Sequence, residues 1–376
     1  MRRALRARLQ SAYLALGAGA AALVAAEGLV RVFAPQPLRP AWDDEQDGLR
    51  VPRPGIRGRH FQPGRFDVTV SINSQRFRAT REYDREPETG RLRVAVLGDS
   101  MAFGWGAGDA DTYPAQLERI LTRDRPVEVI NAGYPGTCLG EKALWYVKGV
   151  RPYRPGVVLL TVLGDDVDGD LYWRPFSLRE DGRAEPRDAR GPADPGVRPA
   201  RRLVALLPGY RLAAERSQLL GLVRRAATRA LSRERTTALG QRPATADEAR
   251  QFREEGLTLL KAEVRWLADR VREDGGRLVV VFVPFRDSIY PVEGWWPDEL
   301  RWKSRAVAAA LGQVCTERAL PFRDLTTPLL ARAARGEAPL YYEGDETHPT
   351  PTGYGAIAQE VADLLVNPEH PRSRAP

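Results

Sequence analysis

Histidine, lysine and cysteine are all scarce in this chain. Three histidines occur in 376 residues, His60, His348 and His370, so chemistry that needs an imidazole has few places to sit. Two cysteines, Cys138 and Cys315, rule out a disulfide-dense scaffold, and no Cys/His spacing suits zinc. An export context would permit one bridge between them, and two buried free thiols fit the sequence as well. Of 57 basic residues only four are lysines, Lys142, Lys148, Lys261 and Lys303, and the rest are arginines. The net charge of +8 raises the question of nucleic acid. The arginines, however, are spread among 49 acids without a basic-aromatic recognition motif, which argues against a nucleic-acid partner. An arginine-biased composition facing an anionic membrane or glycan surface accounts for the charge.

One uncharged stretch has topological meaning. Arg2, Arg3, Arg6 and Arg8 precede Leu9–Ala26, 18 residues without a charge. As a helix this spans about 27 Å, close to the ~30 Å hydrocarbon core of a bilayer. The basic flank predicts a cytoplasmic N-terminus, with everything after Glu27 outside. A cleaved signal peptide is the competing reading, because Val24-Ala25-Ala26 resembles a small-residue cleavage site. A buried core helix would leave the basic leader unexplained.

The rest of the chain reads as strands alternating with helices. Residues 34–65 are rich in Pro, Gly and Arg and predict a linker that wraps the domain surface. Phe66–Ile72 alternates like a strand exposed on one face. Residues 92–97, 127–130, 157–162 and 277–283 are apolar strands, and Phe322 marks a short fifth. Helical spacing appears in Thr112–Thr122, Asp247–Arg272, Asp298–Arg318 and Thr352–Val366. This pattern predicts an α/β fold with a parallel sheet covered on both faces and a site at the carboxyl ends of the strands. Residues 168–245 exceed a minimal βα unit and predict a helical insertion. Within it, Arg179–Pro199 is Pro/Gly/charge-rich and expected to be mobile. Arg211–Arg233 is amphipathic and expected to pack on the sheet domain; the other readings are a lid, or a basic face toward lipid head groups.

The most informative residues follow the strand Leu92–Leu97. Gly98-Asp99-Ser100-Met101 places a serine on a tight turn, and Asp345-Glu346-Thr347-His348 stands near the other end of the chain. Gly-Asp-Ser after a strand is a common turn by itself, and Asp-x-x-His before Pro could be a helix-entry loop. Together they are the parts of a Ser-His-Asp hydrolase. His60 lies in a Pro/Gly/Arg stretch and His370 in a Pro-rich tail, so only His348 has an Asp three residues before it. Two further blocks follow strands: Asn131-Ala132-Gly133 and Leu163-Gly164-Asp165-Asp166.

In this order of blocks the chain resembles the SGNH (GDSL-type) hydrolases over about residues 10–365. Ile72–Arg78 also looks like the lead-in segment of membrane-anchored members. The resemblance implies a three-layer α/β/α sandwich, flavodoxin-like, preceded by an N-terminal transmembrane helix. It implies Ser100 as nucleophile, His348 as base, Asp345 as its orienting acid, and the backbone N–H groups of Ser100 and Gly133 as oxyanion donors. No metal or organic cofactor is implied. The implied organisation is a leader and anchor at 1–33, a wrapping segment at 34–90, the hydrolase domain at 91–367 and a tail at 368–376.

One block departs from the family pattern. Asp165 stands where the family has the Asn that donates an N–H to the oxyanion, and an ionised carboxylate can only accept. Asp165–Asp170 also fits a plain acidic loop after a strand, and its spacing lacks the calcium-loop pattern. Trp105, Trp145, Trp173, Trp295 and Trp296 either line a glycan cleft or fill gaps beneath loops. The expectation is therefore an esterase acting outside the cytoplasm on an ester substrate, such as acylated polysaccharide. The alternatives are an O-acyltransferase of envelope polysaccharide, or a degenerate glycan-binding relative. Oligomeric state is not legible.

Overall fold

The computed structural model describes residues 2–46, 48–187, 209–232, 246–290, 298–345 and 347–366. Helix α1 (Arg2–Phe33) leads to two antiparallel hairpins, β1 (Asp43–Gln46) with β2 (Leu49–Pro52) and β3 (Ile56–Gln62) with β4 (Phe66–Ile72). Strand β5 (Leu92–Leu97), the short α2 (Ser100–Phe103) and α3 (Tyr113–Leu121) come next. They are followed by β6 (Val127–Asn131), α4 (Leu139–Trp145), β7 (Val157–Val162), α5 (Asp166–Trp173) and the hairpin β8 (Phe176–Leu178) with β9 (Ala184–Pro186). Helices α6 (Tyr210–Arg216), α7 (Gln218–Ser232) and α8 (Ala246–Glu273) precede β10 (Arg277–Phe282). The last elements are α9 (Arg286–Ile289), α10 (Asp298–Glu317), β11 (Phe322–Asp324), α11 (Thr326–Ala334) and α12 (Pro351–Val366).

The chain forms two compact units. The first holds α1, residues 59–67 of the second hairpin, and α6 with α7. In α1, Arg8–Phe33 is long and apolar enough to cross a membrane, and the helix buries none of it. The expected single amphipathic helix over 211–233 is corrected here. The segment is two helices broken at Ser217, whose backbone is extended (φ −88°, ψ 120°). They group with α1, because the new helix start at Gln218 is capped by Glu27 of α1.

The second unit holds the sheet. Its order is β11-β10-β7-β5-β6, all parallel. Val94 lies opposite Val129 on one side and Val157 on the other. The strands are largely apolar because helices cover both faces, and the buried charges Arg93 of β5 and Glu128 of β6 pair with each other at 2.6 Å. Alternate residues divide between two cores. Ala95, Leu97, Ile130, Leu160 and Val280 face α4, α8 and α10, while Val94, Val96, Val129, Leu159 and Val281 face α3, α11 and α12. Each such fully buried Val or Leu contributes about 1.5–3 kcal/mol. Helix α8 joins this core along Leu260, Val264, Leu267 and Val271, a stripe at helical spacing. It stops at Gly275, whose positive φ of 79° suits a helix end. Helices α5 and α8 lie in the crossover from β7 to β10, which pair in parallel. Strand β4 pairs with β3 and stays outside the main sheet. Cys138 and Cys315 are both free and buried, so no disulfide joins them.

Candidate active site

Three adjacent strands, β7, β5 and β6, end at the same edge of the sheet, and the sequence blocks follow them. After β5, the chain turns at Gly98, where a Cβ would lie 2.5 Å from Ala102 Cβ and 3.1 Å from Thr161 Cβ. The glycine therefore lets the turn sit against α2 and β7. Asp99 then accepts the Met101 N–H at 2.8 Å and starts α2 with Ser100 as its first residue. Gly104, at φ 84°, ends that single turn.

His348 arrives from far along the chain. Its loop is closed at the base, where Thr350 N–H donates to Leu340 O at 2.9 Å and Tyr342 N–H to His348 O at 3.1 Å. Two tyrosines tie this region to the loop after Ser100. Tyr342 Oη donates to Gly106 O at 2.9 Å and Tyr354 Oη to Trp105 O at 3.0 Å. The result is a relay. Ser100 Oγ lies 3.0 Å from His348 Nε2, and His348 Nδ1 lies 3.0 and 3.1 Å from the two oxygens of Asp345. These partners assign the Nδ1–H tautomer, leaving Nε2 to accept from Ser100. Asp345 also accepts the backbone N–H groups of Thr347 and His348, each at 3.0 Å. Burial works against its charge, but these donors outweigh it and hold the carboxyl down at about 2.

Gly133 sits where a side chain is impossible. A Cβ there would meet Phe103 N at 2.4 Å and the Ala102 carbonyl carbon at 2.7 Å. The loop after β6 is thereby pressed onto α2. The Gly133 N–H donates to Asn131 Oδ1 at 3.0 Å, while Asn131 Nδ2 donates to Ala102 O at 2.8 Å. In this state the amide expected to face the oxyanion is engaged by Asn131.

Asp165 precedes α5 at the end of β7 and makes no side-chain cap to that helix. Burial by surrounding protein raises its carboxyl to about 6, Asp99 adds repulsion, and Lys142 opposes both. The residue as a whole is nevertheless exposed. Water therefore screens this carboxyl and tempers the rise. The next acids of this segment have partners. Asp166 pairs with Lys142 at 2.7 Å, Asp168 with Lys303 at 2.8 Å, and Asp170 accepts the Gly140 N–H at 2.9 Å. Among the described residues no cluster of His, Cys, Asp and Glu suits a metal ion.

Two residues beneath the site escaped sequence reasoning. Lys142 is buried on α4, and its ammonium donates to Asp99 at 3.2 Å, Thr161 O at 3.1 Å and both oxygens of Asp166 at 2.7 Å. Burial alone would lower its pKa, but Asp166 and Asp99 drive it upward. Its signal was scarcity: a lysine on an apolar helix in a chain that otherwise uses arginine. Asn131 was visible only as the first letter of the Asn-x-Gly block. Trp105 stacks on His348, with ring centroids 5.2 Å apart and planes 21° apart. Trp145 is a core residue, and Trp173 lies under the Arg50 guanidinium at 5.0 Å. Trp295, Trp296, Glu346 and His370 lie outside the described residues.

The chain belongs to the GDSL-like lipase/acylhydrolase family, whose model matches residues 96–356. No curated protein matches it. Among solved structures it is similar to a catalytic variant of Axe2, an acetylxylan esterase from Geobacillus stearothermophilus. That match has 14% identity and a TM-score of 0.41, and covers 73% of this chain and 93% of that one. It is also similar to LAE5, an alpha/beta hydrolase enzyme from the metagenome of Lake Arreo, at 14% identity and a TM-score of 0.41, covering 74% of this chain and 95% of that one. The expected α/β/α sandwich around a parallel sheet is the fold observed, and the protein is an acylhydrolase of the SGNH type.

Proposed function

We propose that this acylhydrolase is a serine esterase with Ser100 as nucleophile, acting outside the cytoplasm on O-acyl groups of glycans. The observation that carries the catalytic part is the unbroken contact series Ser100 Oγ, His348 Nε2, His348 Nδ1, Asp345. Ser100 Oγ attacks the ester carbonyl carbon as its proton passes to His348 Nε2. Asp345, ionised down to about pH 2, holds the ring tautomer and stabilises the imidazolium. The tetrahedral adduct collapses, and His348 returns the proton to the departing alcohol. Water then attacks the acyl-serine by the same route in reverse and releases the acid. The oxyanion is held by the Ser100 N–H and by the Gly133 N–H, which must leave or share its bond to Asn131 Oδ1. A serine-reactive phosphonate tests this reading. It should label wild-type protein at Ser100 and fail on Ser100→Ala; labelling of that variant would overturn it.

The location rests on α1: arginines precede its apolar stretch, which favours an extracytoplasmic Ser100. Reporter fusions after residue 35 test it, and a signal from cytoplasm-active reporters alone would refute it. The glycan substrate rests on the same placement, and an ester panel led by acetylated polysaccharide tests it. One observation favours a second reading. An ionised Asp165 at the oxyanion position would leave a site that binds acylated glycan without turning it over. Binding of that polysaccharide with no phosphonate labelling would decide for it.

A further inference from the structure

The first unit contains a junction that nothing in the catalytic proposal uses. Helices α6 and α7 meet at Ser217, and α1 grips the meeting point with two opposite charges. Glu27 of α1 accepts the N–H groups of Gln218 and Leu219, each at 2.9 Å, and the Ser217 hydroxyl at 2.7 Å. One turn further, Arg31 donates to the Arg216 carbonyl at 2.9 Å and pairs with Glu27 at 2.8 Å. A carboxylate thus meets the amino end of α7 and a guanidinium the carboxyl end of α6, the signs that helix dipoles favour. Contact continues along α7. Gln36 N–H donates to Gln218 Oε1, and a Cβ on Gly221 would lie 3.1 Å from Gln36 Cβ, so a small residue lets the segments approach.

The remaining arc of α7 has an unusual composition for an exposed surface. Gln218, Gly221 and Arg225 turn toward the segment after α1. Spacing of 100° per residue puts Leu219, Val223, Ala226 and Ala227 beyond that face and Leu222 at its border. Leu222 and Val223 are exposed, as is Leu212 of α6. Helix α7 has no Asp or Glu, and Arg224 and Arg225 border the apolar arc. An apolar arc edged only by cations is the pattern of a helix lying in a lipid interface. Its place agrees. The cap sits at Glu27, the first charge after the uncharged stretch Leu9–Ala26, where a spanning helix leaves the hydrocarbon.

We propose that α6 and α7 lie on the membrane surface at the exit of α1, with Leu212, Leu222 and Val223 in the acyl boundary and Arg224 toward anionic head groups. This rests on the reading of α1 as a membrane span. Glu27 and Arg31 fix the height of the pair, so the anchor presents a lipid-bound collar as well as a tether.

The test uses the full chain in phosphatidylcholine/phosphatidylglycerol vesicles. Single thiols are introduced at Leu16→Cys, Val223→Cys and Glu317→Cys and labelled with an environment-sensitive fluorophore; the native Cys138 and Cys315 are buried. Brominated lipid should quench positions 16 and 223, and aqueous iodide should quench 317. Iodide quenching at 223 with lipid quenching at 16 would overturn the collar and leave the span intact. Iodide quenching at 16 would overturn the span and the collar with it. Arg224→Glu should reduce lipid quenching at 223 while leaving 16 unchanged. No reduction would overturn the assignment to anionic head groups.

Discussion

We propose that Asp165 faces the oxyanion, so that substituting it by Asn separates a working oxyanion site from a disabled one. The carboxyl is raised from its ordinary 3.8 to about 6 by burial and by Asp99. Protonated, it donates an O–H as the family's Asn donates an N–H; ionised, it only accepts and repels the developing negative charge. At tenfold per pH unit, about nine tenths of it is protonated at pH 5 and about one hundredth at pH 8. The wild-type rate should therefore fall about tenfold per unit above pH 6, down to a floor set by one oxyanion donor, about 10²–10³ in rate. Asp165→Asn removes that limb, gaining about 100-fold at pH 8 and little at pH 5. Screening by water at this exposed residue moves the midpoint downward without changing the sign. The assay is kcat/KM against pH for both proteins on one activated acetyl ester. Identical profiles and rates would refute the argument and make Asp165 a bystander.

Ser100→Ala and His348→Ala should each abolish turnover, and the double variant should be no worse than either, because the two act as one unit; appreciable hydrolysis by Ser100→Ala would remove Ser100 as nucleophile. Trp105→Ala should lower kcat by about 2–30-fold, the value of an aromatic face to the imidazolium that forms only during reaction, with Trp105→Phe keeping most of it. A rise in KM for polysaccharide alone, with a small ester unaffected, would make Trp105 a sugar platform instead. Lys142→Met breaks buried ion pairs with Asp99 and Asp166, so stability should fall by about 3–5 kcal/mol. In the folded fraction it should also shift the Asp165 limb to higher pH, because Lys142 lowers that pKa. Unchanged melting and an unchanged pH profile would contradict the network.

The sheet was legible because its strands are continuous apolar runs, and their bounds in the structure differ from the sequence reading by a residue at most, as at Val127–Asn131 and Arg277–Phe282. Ser100, His348 and Asp345 were legible because scarce histidine leaves one plausible base. The break at Ser217 was not. The amphipathic period runs through it, and only the distant Glu27 makes a helix start there favourable. Nor did the sequence show that the Gly133 amide is bonded to Asn131, since an Asn-x-Gly block is read for its glycine. The stacking of Trp105 on His348 depends on two loops being tied by Tyr342 and Tyr354, which are 236 and 249 residues away from their partners in the chain.

The buried charges behind the site bear on the raised carboxyl of Asp165. Asp166, Asp170 and Glu263 are buried within the second unit, with Lys142 among them. One ammonium cannot neutralise several carboxylates in a low dielectric, so the surplus must bind protons. The oxygens identify where. Asp170 Oδ2 and both oxygens of Glu263 have no hydrogen-bond partner when all are written as carboxylates. Burial and the neighbouring Asp170 push Glu263 well above the ordinary carboxyl range. A proton on Glu263 donated to Asp170 supplies the missing partner and leaves one negative charge where two would repel. That bond joins α8 to α5, the helix whose first turn carries Asp166 on Lys142. The start of α5 is thereby fixed from both ends, and the Lys142 charge is largely committed to Asp166 and Asp99. Asp165, just before that turn, receives what remains of the attraction, and repulsion by Asp99 adds to the burial that raises its carboxyl. Its proton is therefore held by the architecture that positions the nucleophile, and a change at Lys142 should reach both Asp165 and Asp99, the residue that starts the helix turn carrying Ser100.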